Sequence, residues 1–274
     1  MTATTAPGAI VAGIGRRVRK AGGQGLFVVL GLLGFVLFWE LVAAVATDLP
    51  TPSESFTTLR GLLASPFHDN GPNDKGVGLQ LWASLQRVFM GFGLATIVAV
   101  PLGFAMGASK RVWSAVNPIV SLLRPVSPLA WFPIGLVVFQ RAPTAAVFVI
   151  FITALWPTLI NTAFGVANVP EDHRNVARVF KFSRYKYVRH VLAPHSLPSI
   201  VTGMRISMGI AWLVIVAVEM LAGGTGIGFF VWDSYNADNM SQVIAAIFLI
   251  GAVGVVLDVV FNRLLKRVSY VENV

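Results

Sequence analysis

The 274-residue chain has no cysteine, which excludes disulfides and any cysteine-ligated metal or redox site. Charge is scarce too: Asp, Glu, Lys and Arg together make up 12% of the residues, about half the share in a soluble domain. No lysine is followed by serine or threonine, so the phosphate-binding pattern G-x-x-x-x-G-K-[ST] is missing. The patterns G-x-S-x-G and H-E-x-x-H are missing as well. The histidines, His68, His173, His190 and His195, have no metal-ligand spacing. Nothing in the chain supports catalysis of its own.

Apolar surface is what the chain has in abundance. Hydrophobic residues make up 55% and mean hydropathy is +0.74, the balance of an integral membrane protein. The net charge of +9 does not point to nucleic acid, because the basic residues flank apolar runs, where membrane orientation accounts for them. A hydrocarbon core of about 30 Å needs roughly 20 apolar residues per helix. Six segments meet that length: 26–46, 85–108, 116–139, 144–166, 199–222 and 243–265. The third is broken by Pro118, Pro125, Pro128 and Pro133, and Pro101 kinks the second. The fold class is therefore all-α and polytopic, with six transmembrane helices. Residues 1–25 form a basic tail and 26–274 one membrane domain.

Lysine and arginine fix the orientation. Arg16, Arg17, Arg19, Lys20, Lys110, Arg111, the cations of segment 168–198, Arg263, Lys266 and Arg267 all fall on one side of the six-span scheme. That side is cytoplasmic by the positive-inside tendency, with both termini on it. The first span is too long for a cleavable signal. On the other side, the loop 47–84 places Phe56, Leu59, Leu62 and Leu63 at helical spacing, predicting a short amphipathic helix capped by Ser53 or Ser55. The sequence after it, HDNGPNDKGVG, predicts a flexible turn.

Segment 168–198 is a basic stretch between two spans. Pro170, Glu171 and Asp172 suit the start of a helix whose apolar stripe is Val176, Val179 and Phe180. Ser183 caps a second helix, which Ala193-Pro194 ends. From charge and amphipathicity alone, a helix pair lying on anionic lipid and a docking surface for a protein are equally good readings.

The residue order decides between them. N-V-A-R-V-F-K-F-S-R-Y-K-Y-V-R-H-V-L-A-P resembles the signature E-A-A, three residues, G, nine residues, I-x-L-P of ABC importer permeases. Asn175, Val176 and Ala177 stand at E-A-A, Lys181 at G, Val191 at I, and Ala193-Pro194 at L-P. The departures are Asn175, Lys181 and Ala193. The resemblance extends through Leu49-Pro50-Thr51-Pro52-Ser53, Ser84-x-x-Arg87, Leu123-Arg124-Pro125, Leu197-Pro198-Ser199 and Gly224-Thr225-Gly226-Ile227-Gly228. As a whole the chain resembles the permeases of nitrate, sulfonate, taurine and bicarbonate importers. Ser127 to Gly135 and Trp156 to Thr162 bring it nearest the nitrate and bicarbonate branch.

The resemblance implies a type I importer permease in the bacterial inner membrane, acting as a homodimer. Separate ATPase subunits would hold ATP and Mg and dock on Asn175, Val176, Ala177, Arg178, Val179, Phe180, Lys181, Val191 and Pro194. A periplasmic or lipid-anchored binding protein would deliver the substrate, and this chain would bind no cofactor. Nitrate is the first expected cargo, with bicarbonate, cyanate and organic sulfonates as alternatives. The competing class is an ATP-independent channel or carrier, disfavoured by the lack of an inverted repeat.

Charges inside spans are costly, so Glu40, Arg87, Arg124, Arg205, Glu219 and Asp258 should face protein or water. Arg124 lies among prolines that free backbone groups, and a guanidinium matches a planar oxyanion. Its other reading is a helix clamp paired with Glu219 or Asp258. Trp156, Asn161, Arg205, Ser207 and Trp212 complete the candidate path. Each of these serves equally well as packing, and Arg205 as an anchor near a helix end.

Overall fold

The computed structural model describes residues 7–46, 48–71 and 74–269. Its helices are α1 (Pro7–Val45), α2 (Pro52–Ala64), α3 (Val77–Ala108), α4 (Lys110–Leu123), α5 (Phe132–Phe139), α6 (Ala142–Ala167), α7 (Glu171–Val179), α8 (Arg184–Tyr187), α9 (Ala193–Ala222), α10 (Ile227–Asn236) and α11 (Met240–Ser269). The described residues contain no strand. Among the described residues five helices are long and apolar enough to cross a membrane, and six spans result if α4 and the Pro128–Phe139 segment, bent by 97°, count as one. The chain divides into two compact units, Met1–Thr58 and Leu59–Val274. The basic cluster Arg16, Arg17, Arg19 and Lys20 has its side chains outside the described residues.

In the first unit, Trp39 Nε1 donates to Pro50 O at 3.1 Å. Helix α2 begins with a capping box. Thr51 Oγ1 accepts from Glu54 N at 3.3 Å, and Glu54 Oε2 accepts from Thr51 N at 2.9 Å. The cap is thus Thr51, not Ser53 or Ser55, because Pro52 takes the first helical position and Ser55 is buried one turn on.

The turn before α3 is held rather than loose. His68 Nε2 meets Asp74 Oδ1 at 3.0 Å, and Asn70 Nδ2 donates to Asp74 Oδ2 at 2.9 Å. The Ser65 carbonyl and then Asp74 raise the His68 pKa, while Asn70 and then His68 lower that of Asp74.

Helices α3, α6 and α9 form the core of the second unit. Gly91, Ala95, Ala99, Gly103 and Gly107 recur every fourth residue along α3, a small-residue seam that lets α6 approach closely. A Cβ on Gly91 would come within 2.7 Å of Ile150, and one on Gly103 within 2.6 Å of Thr162. The α6–α9 contact is sealed by polar groups. Ser207 Oγ donates to Ala154 O at 2.6 Å and meets Thr158 Oγ1 at 2.8 Å, both side chains fully buried.

Two boundaries differ from the sequence expectation. Helix α3 starts at Val77 rather than residue 85, because Gln80 and Ser84 are buried partners of another loop and not polar linker residues. Ala193-Pro194 does not end a helix: the chain is helical from Arg184 through Ala222. A π turn at Val188–Leu192 routes the Ala193 N–H to the Val188 carbonyl, five residues back. That wider turn relieves the clash a proline ring makes with the carbonyl four residues before it. The third span bends because Pro125, Pro128 and Pro133 cannot donate to a continuous helix, and Ser127 is extended (φ −54°, ψ 131°) before Pro128.

The α3 seam predicts that Gly103→Leu forces α3 away from α6. We expect a loss of about 1–3 kcal/mol, read as a lower thermal midpoint of the detergent-solubilised protein, while Gly93→Leu, which meets nothing within 4 Å, is neutral.

Candidate functional site

The acids of the second unit's spans are already taken. Glu219, 2% exposed on α9, receives Arg87 Nη1 at 2.6 Å and Ser84 Oγ at 2.7 Å, both from α3. The same oxygen that Ser84 reaches also accepts from Gly228 N at 3.1 Å. Arg87 Nη1 further donates to Thr225 O at 2.6 Å, Gln80 Oε1 accepts from Gly226 N at 2.6 Å, and Ser84 Oγ accepts from Ile227 N at 2.9 Å. This polar knot pins the glycine segment between α9 and α10 to α3. Gly226 has φ +152° and lies so close that a Cβ would overlap the Glu219 carboxylate, so only glycine fits there.

Asp258 on α11 forms the second pair. Arg205 Nε and Nη2 donate to its two oxygens at 2.8 and 3.2 Å, and Asn262 Nδ2 donates at 2.8 Å. The reading of Arg124 as a helix clamp on Glu219 or Asp258 therefore fails, since other arginines hold both acids. Among the described residues, the Arg124 guanidinium has no hydrogen bond or ion pair.

Arg124 stands at the end of α4, where the chain bends. A cavity of about 290 Å³ opens beside it, lined also by Trp131, Thr153, Trp156, Asn161 and Ile206. The lining is mostly apolar, with one fixed cation and a few polar groups. Asn161 Nδ2 donates to Pro157 O at 2.8 Å. A second cavity of about 480 Å³ lies between α4 and α6 and shares Arg124 and Ile160 with the first.

Of the expected path residues, Arg124, Trp156 and Asn161 come together here. Ser207 is buried in the α6–α9 contact. Arg205 and Trp212 line a separate cleft of about 90 Å³ against α11, and Trp212 Nε1 donates to Ile250 O at 3.0 Å. The polar members of α4 at the second cavity, Asn117 and Ser121, were legible as a helical stripe with Arg124, but the prolines drew the reading of that span.

The basic loop resolves the signature's chemistry. Helix α7 ends in a Schellman motif: Phe182 N donates to Ala177 O at 2.9 Å and Lys181 N to Arg178 O at 3.1 Å. Lys181 is the residue in the left-handed region, φ +48°. The glycine of the signature is thus the one that such a helix end favours, and Lys181 holds the same geometry at a cost of roughly 1 kcal/mol. Asn175 Oδ1 accepts from Arg178 Nη1 at 3.2 Å. Ala177 is buried, whereas Val176, Val179 and Phe180 are 52%, 78% and 71% exposed, an apolar knob on which Phe180 meets the Phe182 ring at 6.4 Å between centres. Ser183 caps α8 as expected, accepting from Lys186 N at 3.3 Å. Val191 lies in the π turn and Pro194 in the first turn of α9.

Lys181→Gly should relax this turn without altering its shape. We expect amide hydrogen exchange over residues 176–183 to slow about five-fold, matching a gain near 1 kcal/mol; unchanged or faster exchange would show that the lysine is not strained.

Comparison with known proteins gives four findings. A family model described as a binding-protein-dependent transport system inner membrane component matches residues 91–270. The nitrate import permease protein NrtB of Synechocystis sp. is 46% identical over 224 residues, covering 81% of this chain and 82% of its own length. The bicarbonate transport system permease protein CmpB of Synechococcus elongatus is also 46% identical, over 237 residues and 85% of each chain. Among solved structures, an inward-facing MetNI methionine ABC transporter superposes with a TM-score of 0.62 at 17% identity, over 68% of this chain and 93% of that one.

Proposed function

The chain belongs to the family of inner-membrane permease components of binding-protein-dependent transport systems, and from that membership we propose that it carries a small inorganic anion, nitrate first, past Arg124. It is a multi-pass permease subunit of an ABC importer with the type I fold. The observation that carries the anion assignment is the guanidinium, unpaired among the described residues, in the lining of a mostly apolar cavity.

A lone cation in an apolar chamber favours an ion that sheds water readily and carries one charge. Nitrate fits both conditions, and its planar oxygens suit the paired donors of a guanidinium. Bicarbonate is the second reading, supported by the equal identity to a bicarbonate permease. Cyanate and organic sulfonates come after these.

The basic loop faces the cytoplasm in this reading, as do both termini. Its knob of Val176, Val179 and Phe180, with Asn175, Ala177, Arg178 and Lys181 around it, seats on an ATPase subunit that supplies ATP and Mg. A second copy of the permease completes the path, and an external binding protein delivers the anion. Closure of the ATPases would then pass from the knob across the α7–α8 turn to one continuous helix, because the π turn keeps α8 and α9 joined past Pro194.

The test is uptake of labelled nitrate, with labelled bicarbonate in parallel, by the reconstituted complex. Arg124→Gln should lower uptake at least ten-fold with the complex intact, the loss of one charged hydrogen-bonding group being worth about 1.5–3 kcal/mol. Val179→Asp should instead release the ATPase while leaving the permease folded. Normal uptake by Arg124→Gln would refute the path role, and loss of folded protein would return Arg124 to a structural role.

A further inference from the structure

Helix α4 carries a second feature that the Arg124 reading leaves unused. Lys110, Trp113, Asn117, Ser121 and Arg124 recur at spacings of three, four, four and three, so they lie on one side of the helix. The opposite side shows Ile119 and Leu122, 56% and 71% exposed, as suits lipid. Trp113, Asn117, Ser121 and Arg124 together line the 480 Å³ cavity.

The polar atoms of this stripe are unsatisfied. Among the described residues, neither the Trp113 indole nor the side chains of Asn117 and Ser121 makes a hydrogen bond. Polar groups at membrane depth persist unpaired within a chain only where water, a solute or a partner subunit reaches them. All of them can donate: an indole N–H, an amide NH₂ and a hydroxyl, below one guanidinium. Neutral donors with one cation at the end compensate a single negative charge and fall short for a divalent anion. The helix also sets a direction, since α4 has its positive N-terminal end at Lys110, about 21 Å from Arg124 at 1.5 Å per residue.

We propose that this cavity is a second anion station. It accepts a small monovalent oxyanion from Arg124, holds it on Asn117, Ser121 and Trp113, and passes it along α4 toward Lys110. The inference rests on the assignment of Arg124 to the path, and it adds a separate site with its own ligands.

The absence of native cysteine permits a direct test. Asn117→Cys, Ser121→Cys and Leu122→Cys are each placed singly in the reconstituted complex and exposed to an anionic methanethiosulfonate, with and without millimolar nitrate. The stripe positions should be modified at least ten-fold faster than Leu122→Cys, and nitrate should slow their modification several-fold. Equal rates at all three positions, or no protection by nitrate, would overturn the second station. Failure of the path reading has a different signature, namely normal nitrate uptake by Arg124→Gln.

Discussion

The interaction on which the rest depends is the pairing of charge inside apolar spans. Among the charged residues along the spans of the second unit are Arg87, Arg124 and Arg205, and the acids there are Glu219 and Asp258. Removing one partner of a buried pair such as Arg87–Glu219 costs about 3–5 kcal/mol, whereas the half-exposed Arg205–Asp258 pair is held by weaker terms. Glu219 goes to Arg87 and Asp258 to Arg205. Arg124 is left with a full charge and no partner among the described residues. The same pairing that ties α3 to α9 and α9 to α11 therefore leaves Arg124 as the proposed anion site.

Rigidity around that site has two sources. The small-residue seam on α3 brings its backbone against α6, and buried hydroxyls lock α6 to α9. Against this block, the bent α4–α5 span is loosely supported and its prolines leave the backbone short of donors. A cavity forms where the regular packing gives way. At the other end of α9, the π turn lets the helix run through Pro194 into the basic loop, so α8 and the core share one continuous element, with the knob on α7 one Schellman turn away.

Much of this was legible in the residues. Apolar run lengths gave the spans, and the prolines between 118 and 133 marked the break. The Asn175–Pro194 spacing identified the loop and, with the longer motifs, the family. Pairing was not legible, because sequence distance says nothing of which arginine meets which acid: Arg87 and Glu219 are 132 residues apart. Nor was the start of α3, since Gln80 and Ser84 look like linker residues until the glycine loop that they bind is in view. The path set split for the same reason. Ser207 and Trp212 satisfy their polar atoms on neighbouring helices, while Arg124, Trp156 and Asn161 share one cavity and Arg205 and Trp212 a separate cleft.

The account stands on Arg124 being an unpaired cation that the cargo itself must meet. Ile160 lines both cavities beside it. An acid placed there would give the arginine a permanent partner. The decisive measurement is the rate of labelled nitrate uptake by the reconstituted complex carrying Ile160→Glu, compared with Ile160→Gln. The account predicts that the glutamate variant is folded and assembled yet takes up nitrate at least ten-fold more slowly than the glutamine variant. Equal uptake by the two would contradict it.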